Sequence, residues 1–125
     1  MRMDTAVANY ILQLEADGRS PHTRGQYRRP LRLLWRWLPR RKRRDVRVIG
    51  ADDLARFLTS AEALTRPDGR PKRASSANTL RSSLRSFFGF LCRAGVLDRD
   101  PARLIRRALC APPPPRALSP DEDRR

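Results

Sequence analysis

The residues of this chain that are best suited to chemistry lie at the start of a predicted helix in its C-terminal half. Free N–H groups at a helix N-terminus bind phosphates, and Asn and Arg side chains can read base edges in a DNA groove. We therefore predict that this helix end contacts nucleic acid, the alternative being the solvated cationic face of an ordinary amphipathic helix. The candidate residues are Lys72, Arg73, Ser75, Ser76, Asn78, Arg81 and Arg85.

Two further groups of cations lie earlier in the chain. Arg28, Arg32 and Arg36 recur every four residues, on the side of a second predicted helix opposite its apolar stripe. We count Arg28 and Arg32 as candidate contacts. Residues 40–44 read Arg-Arg-Lys-Arg-Arg. Such a run fits a phosphate-tracking loop, a nuclear-localisation-like patch or a solvated charge run, and the sequence leaves the three open.

The charge balance makes a polyanion the leading partner. The 125 residues include 28 Lys and Arg against 13 Asp and Glu, a formal net charge of +15. A protein of this charge binds polyanions of any sequence, because neutralising phosphates releases their counterions. Lys42 and Lys72 are the only lysines. Because a GC-rich genome also raises arginine usage, the excess of charge is informative and the choice of arginine is not.

The residue types that most catalytic and metal sites need are scarce. His22 is the only histidine, and we expect it to be exposed in the first turn of a helix. Cys92 and Cys110 are too few for a disulfide framework or a metal site. Asp52 and Asp53 are neighbours, and neighbours on a helix do not face each other. We find no Gly-rich phosphate loop and no nucleophile elbow, and we expect no catalytic site, no metal and no cofactor.

Helix signals account for most of the chain, and no strand-like alternation occurs. Asp4 is predicted to cap a first helix over residues 4–17, and Ser20 a second over 21–38, with a kink near residues 26–29 because Pro30 lies inside it. A third helix is predicted over 51–63 and a fourth over 75–94. A short helix opens at Asp100 and Pro101, and residues 112–115 are four prolines that cannot be helical.

Apolar residues at helical spacing predict one shared core. On the fourth helix this stripe implies that Asn78, Ser82 and Ser86 lie further round, away from the core. We expect Tyr10 and Tyr27 to pack in the core and Trp35 to lie at its margin. The predicted core stripes comprise Val7, Tyr10, Ile11 and Leu14; Tyr27, Leu31, Leu34 and Leu38; Leu54, Phe57 and Leu58; and Leu80, Leu84, Phe87, Phe88 and Leu91.

The order of these motifs resembles the N-terminal core-binding domain of the tyrosine recombinases, that is, the phage integrases and Xer-type recombinases. The similarity extends over about residues 5–109. Residues 115–122 also resemble the linker and first turn that open the catalytic domain of that family. The motifs are Ser20-Pro-His-Thr23, Tyr27-Arg-Arg with Leu31, Asp53-Leu54 with Phe57-Leu58, Asn78-Thr-Leu80 with Leu84-Arg-Ser-Phe-Phe88 and Leu91, and Asp100-Pro101-Ala.

The resemblance implies an all-α fold, a compact SAM-like bundle of four to five helices over residues 1–110. Residues 111–125 would be a Pro-rich linker and the start of a missing catalytic domain. The second and fourth helices would approach the DNA major groove, which adds Thr23 and Arg24 to the candidate contacts. The family's catalytic residues all belong to the second domain, so we expect binding without cutting or rejoining.

From the sequence we therefore expect a cytoplasmic DNA-binding domain of a site-specific recombinase or integrase, acting in DNA integration and recombination. Double-stranded DNA is the expected partner, with other recombinase subunits or a separately encoded catalytic domain as further candidates. We expect no small-molecule substrate and no membrane contact, because no apolar run approaches the ~20 residues that span a bilayer. Two alternatives are an arginine-rich helical module that binds a protein and an arginine-rich RNA binder.

Overall fold

The computed structural model describes residues 1–106, and within them the chain is all α-helical, with no named strand. Four main helices form the bundle, and two single turns connect them, so the predicted all-α class is confirmed. A 3₁₀ turn, Val46–Val48, lies between α3 and α4. The helices are α1 Met3–Ala16, α2 Pro21–Trp37, α3 Arg40–Arg43, α4 Ala51–Leu58, α5 Ala61–Leu64 and α6 Ala74–Arg93.

Helices α1, α2 and α6 pack on one another around an aromatic centre. The Tyr10 and Phe87 rings meet edge-to-face with their centroids 5.5 Å apart, and Phe87 meets Phe88 at 4.9 Å. Such edge-to-face pairs add to the free energy that burial of the rings contributes. The predicted stripes are confirmed, except that Val7, Tyr27 and Leu58 are only half-buried. The core also takes in Met3, Ala6, Val46, Ile49, Ala63, Leu97, Ala102 and Ile105.

Two serine hydroxyls of α6 join it to its neighbours. Ser86 accepts a hydrogen bond of 2.6 Å from the Tyr10 hydroxyl of α1. The prediction that Ser86 lies away from the core is therefore wrong, because a polar partner on α1 faces it. Ser83 is fully buried and donates to the Tyr27 backbone carbonyl of α2 at 2.8 Å. Both bonds satisfy polar groups that would be costly to bury alone.

Several predicted helix ends are wrong, each for a local reason. Asp4 does not cap α1: Arg2 is the N-cap, and the Asp4 carboxylate accepts from Arg2 at 3.1 Å inside the first turn. The predicted third helix divides at residues 59–60, because the Ser60 hydroxyl accepts from the Ala63 N–H and caps a new turn. By contrast, Ser20 caps α2 as predicted, accepting from the Thr23 N–H at 3.2 Å.

The chain from residue 101 to residue 106 forms turns and not the predicted short helix. The Asp100 carboxylate does act as a cap and accepts from the Ala102 N–H at 2.8 Å. Ile105 is buried, whereas Leu104 is 74% exposed. The predictions about Cys110 and the linker over residues 111–125 lie outside the described residues.

Candidate nucleic-acid interface

Helix α2 presents four exposed arginines to solvent. On an α-helix, residues 28, 32 and 36 advance by about 40° per step, and residue 29 follows about 20° beyond residue 36. The four side chains therefore cover about 100° of the helix surface. None of them forms an ion pair within residues 1–106. We call this surface the arginine face; it consists of Arg28, Arg29, Arg32 and Arg36.

A groove of about 670 Å³ runs along one side of the arginine face, between α2 and the start of α6. Its floor is apolar and its rim carries three cations. Glu62 is the one acid among its described lining residues. We call this groove the basic groove. Its lining residues are Gln26, Arg29, Pro30, Leu33, Glu62, Thr65, Arg66, Pro67, Lys72, Ser75, Ser76, Thr79 and Leu80.

The loop before α6 holds Lys72 in place at the rim of this groove. The Lys72 N–H donates to the Leu64 carbonyl at 2.9 Å, and the Arg66 N–H donates to the Arg70 carbonyl at 2.7 Å. Gly69 completes the turn at φ +84°, a conformation that glycine adopts without strain. Partial burial lowers the pKa of Lys72, and no acid within residues 1–106 forms an ion pair with it. The ammonium group is therefore available to an external anion.

The first turn of α6 is also open to an anion. Arg73 occupies the N-cap position with extended backbone, and no side chain caps the helix. The exposed hydroxyls of Ser75 and Ser76 follow in the first turn and line the basic groove. Uncapped N–H groups and serine hydroxyls are common ligands of phosphate. Lys72, Ser75 and Ser76, three of the predicted residues, thus line one groove together with Arg29 from α2.

The other predicted residues of α6 lie on a different side of that helix. Arg81 is two residues beyond the groove-lining Thr79, which places it about 200° further round. Arg85 follows Arg81 by one turn and donates to the Ile105 carbonyl at 2.7 Å. Asn78 lies three residues before Arg81, on the same side of α6, and is half-buried. The predicted set therefore divides between the basic groove and this second side.

The residues carried over from the resemblance lie at the start of α2. Thr23 is half-buried, and its hydroxyl accepts from the Ser20 hydroxyl at 3.1 Å. Arg24 donates to the Arg19 carbonyl at 3.2 Å. His22 is exposed, as predicted. Both candidate residues therefore stand less than one turn ahead of Gln26, the first residue of α2 that lines the basic groove, and they have local hydrogen bonds of their own.

On the other side of the arginine face, a second groove separates α2 from α1. Arg28, Arg32 and Arg36 line it together with Trp35 and Asp4. The arginine face is thus a ridge between two grooves, and this ridge is the most cationic surface of α2. Among the described residues, no group of His, Cys, Asp and Glu side chains could hold a metal ion. No helix in that part of the chain has the length and apolar character to cross a membrane.

The fold and these surfaces define a small all-helical domain with a cationic ridge. A family model described as phage integrase, N-terminal SAM-like domain, matches residues 7–95, which is well over half of the chain. The chain belongs to this family, as the order of its sequence motifs predicts. The matched range contains the arginine face and the basic groove. Searches of curated proteins and of solved structures find no match.

Proposed function

We propose that this chain binds duplex DNA through the arginine face and the basic groove, as the DNA-engaging domain of a tyrosine recombinase or integrase. The observation that carries the proposal is the set of four exposed arginines of α2 without an ion-pair partner in residues 1–106. The proposal assigns binding alone, and no catalytic step, to this chain. Other recombinase subunits and a separate catalytic domain are its proposed protein partners.

The shape of the surface suits a duplex. A ridge formed by one helix between two grooves can enter the major groove, which is about 12 Å wide and admits an α-helix. The two DNA phosphate backbones that border the major groove would then approach the two protein grooves on either side of α2. Lys72, Ser75 and Ser76 would bind phosphates on the basic-groove side, while arginines of α2 would contact phosphates or guanine edges. Thr23, Arg24 and Arg73 extend the proposed contacts at the ends of the two helices.

Fluorescence anisotropy of a labelled ~30-bp duplex at several salt concentrations tests the proposal. With about five to eight phosphates contacted, log K should fall with log salt with a slope of roughly −4.5 to −7. A structured RNA hairpin serves as competitor. Binding with no salt dependence, or stronger binding of the hairpin than of the duplex, contradicts the proposal and favours the protein-binding or RNA-binding alternative.

A variant of the basic groove tests the placement of the site. Arg29→Gln with Lys72→Gln should weaken duplex binding about ten-fold and reduce the salt slope by about 1.8, since two phosphate contacts are lost. Arg2→Gln with Arg47→Gln removes the same charge from exposed arginines that Asp4 and Asp45 already pair at 3.1 and 3.0 Å. Equal losses in the two variants would refute this placement.

The second side of α6 needs its own test, because Arg85 also holds the Ile105 carbonyl. Replacing Arg85 would change both the folded segment 101–106 and any DNA contact. Arg81→Gln leaves that hydrogen bond in place. We expect it to weaken duplex binding, with unchanged helicity by circular dichroism. Affinity equal to that of the wild type would confine the interface to the arginine face and the basic groove.

A further inference from the structure

The five consecutive cations of residues 40–44 form α3 and the residue after it, and two of them turn inward. The Lys42 ammonium contacts the Asp53 carboxylate at 2.5 Å and the Val48 carbonyl at 3.3 Å. The Lys42 and Asp53 side chains are only 16% and 7% exposed. This ion pair ties α3 to the first turn of α4, where Asp53 also accepts from the Gly50 N–H at 2.8 Å.

Arg43 fixes the other end of α3 to α2. Its guanidinium donates to the Trp35 and Arg36 carbonyls at 2.6 and 2.7 Å, and it stacks on the Trp35 ring at 4.3 Å. The last carbonyls of a helix have no partner within it, and they attract cations. Arg43 therefore satisfies the end of α2, and α3 is attached on two sides.

The other three cations of the run are left in solvent. Arg40, Arg41 and Arg44 are exposed, and none of them forms an ion pair within residues 1–106. They lie close to the end of α2, because Arg43 holds the Arg36 carbonyl at 2.7 Å. Because Lys42 and Arg43 fix the backbone of the turn, these like charges are held close together despite their repulsion. An external polyanion would relieve that repulsion.

We propose that Arg40, Arg41 and Arg44 form a second DNA-binding surface, which adjoins Arg36 at the end of the arginine face and holds the phosphate backbone beyond that face. This inference rests on the proposed function, since it adds a contact to the same duplex. At 1.5 Å per residue, α2 extends about 14 Å from Arg28 to its end at Trp37. Arg29 of the basic groove lies about 12 Å from the same end. The turn therefore reaches phosphates other than those that Arg29 contacts.

A triple variant with a matched control tests this surface. Arg40→Gln/Arg41→Gln/Arg44→Gln should bind a ~30-bp duplex at least ten-fold more weakly than the wild type and reduce the salt slope by about 2.7. The control is Arg2→Gln/Arg47→Gln/Arg56→Gln, which removes three exposed arginines that pair with Asp4, Asp45 and Asp52. The control should change the slope by less than about one. Equal changes in both triple variants overturn the inference.

A second measurement locates the contact. The wild type should prefer the ~30-bp duplex over a hairpin-closed stem of ~4 bp more strongly than the triple variant does, because such a stem, about 10 Å long at 3.4 Å per step, is shorter than the ~12 Å between Arg29 and the turn. An unchanged length preference in the triple variant overturns the inference. If the wild type itself fails to bind duplex, the proposed function fails and the inference fails with it. If the Arg29/Lys72 variant loses binding while the turn variant behaves like the control, only the inference fails.

Discussion

The hydrogen bond between Tyr10 and Ser86 joins the first and last helices of the bundle through two side chains. Its donor and acceptor are 2.6 Å apart, and the Tyr10 ring also packs against Phe87 and Phe90. Burial raises the pKa of Tyr10 to about 12, although the hydrogen bond to Ser86 opposes that rise. The phenol therefore stays protonated and can donate throughout the neutral range.

Removal of this hydroxyl should lower stability without disturbing the packing of the ring. We expect Tyr10→Phe to reduce the free energy of unfolding by about 1 kcal/mol, as is usual for one partly buried hydrogen bond. Urea denaturation followed by circular dichroism measures it. In Tyr27→Phe the Tyr27 carbonyl still accepts from Ser83, so this control should lose less than about 0.5 kcal/mol. Losses that simply add in Tyr10→Phe/Ser86→Ala would show that the two groups do not interact.

Asp53 is the most consequential acid of the described chain. Burial raises its pKa, but the Gly50 N–H and the Lys42 ammonium outweigh this, so the net pKa is lowered. A lowered folded-state pKa contributes stability that is present above the unfolded pKa near 4 and is lost as pH falls through the folded value. The Lys42–Asp53 pair should therefore stabilise the fold at neutral pH and lose this effect in acid.

The variant Asp53→Asn tests this dependence on pH. We expect it to lower the free energy of unfolding by about 2–4 kcal/mol at pH 7, because Lys42 is left in a largely buried position without its partner. The difference from wild type should shrink as pH falls below about 4, where the carboxylate of the unfolded chain becomes protonated, and it should vanish only below the lowered pKa of the folded state. Thermal melts at pH 7 and pH 3 measure both. The neighbouring Asp52→Asn, at a site that is 68% exposed, should change stability by under about 0.5 kcal/mol.

At the scale of the elements, local signals were enough to predict the long helices. Ser20 and Pro21 mark the start of α2, and the apolar stripe of α6 repeats with the helical period, so both helices form where expected. The division between α4 and α5 was missed because it depends on which side chain takes one N–H group. The Ser60 hydroxyl accepts a hydrogen bond from the Ala63 N–H, and this bond begins a new helical turn where the predicted helix would have continued. Helix propensities and apolar spacing do not specify whether a serine continues a helix or caps a new turn.

The candidate site was predictable in its residue types but not in its arrangement. The cations could be counted from the sequence, yet those that bind within the protein depend on groups distant along the chain. Lys42 meets Asp53 eleven residues later, and Arg85 meets the Ile105 carbonyl twenty residues later. The split of the α6 residues follows from the packing of α6 against α2, which only the tertiary structure specifies.

Helix α2 is continuous across Pro30, which is unfavourable in a helix interior. In a helix interior, proline lowers the stability of the folded state by about 3 kcal/mol relative to alanine. Up to ~1 kcal/mol of this is offset, because proline also reduces the conformational entropy of the unfolded chain. Pro30→Ala should therefore raise the free energy of unfolding by about 1–2 kcal/mol, measured by urea denaturation. Arg29→Ala, at the adjacent position, should change it by under about 0.5 kcal/mol. A less stable Pro30→Ala would mean that the packing of the ring in the basic groove outweighs the missing hydrogen bond.

At the scale of the whole molecule, charge and core are separated between different surfaces. The buried side chains come from α1, α2, α4, α6 and the segments between and after them, from Met3 to Ile105. Seven exposed arginines without an ion pair in residues 1–106 lie on the outer face of α2 and on the turn that follows it, namely Arg28, Arg29, Arg32, Arg36, Arg40, Arg41 and Arg44. Substitutions on the arginine face or the turn should therefore change DNA binding with little effect on stability, whereas Asp53 affects both.

The extent of the core makes a last prediction about the size of the folding unit. A chain that stops after residue 106 keeps every described core side chain. We therefore expect it to unfold in one cooperative thermal transition, with a free energy of unfolding within about 0.5 kcal/mol of that of the full chain. A chain that stops after residue 99 loses the buried Ala102 and Ile105, and Arg85 loses its carbonyl partner. That chain should be less stable by about 3 kcal/mol or more, the scale of an emptied core site. Thermal melts of both chains by circular dichroism measure these stabilities. If the chain that ends at residue 106 is also strongly destabilised, residues 107–125 contribute to the stability of the fold. If the chain that ends at residue 99 melts like the full chain, the segment that Arg85 holds is dispensable.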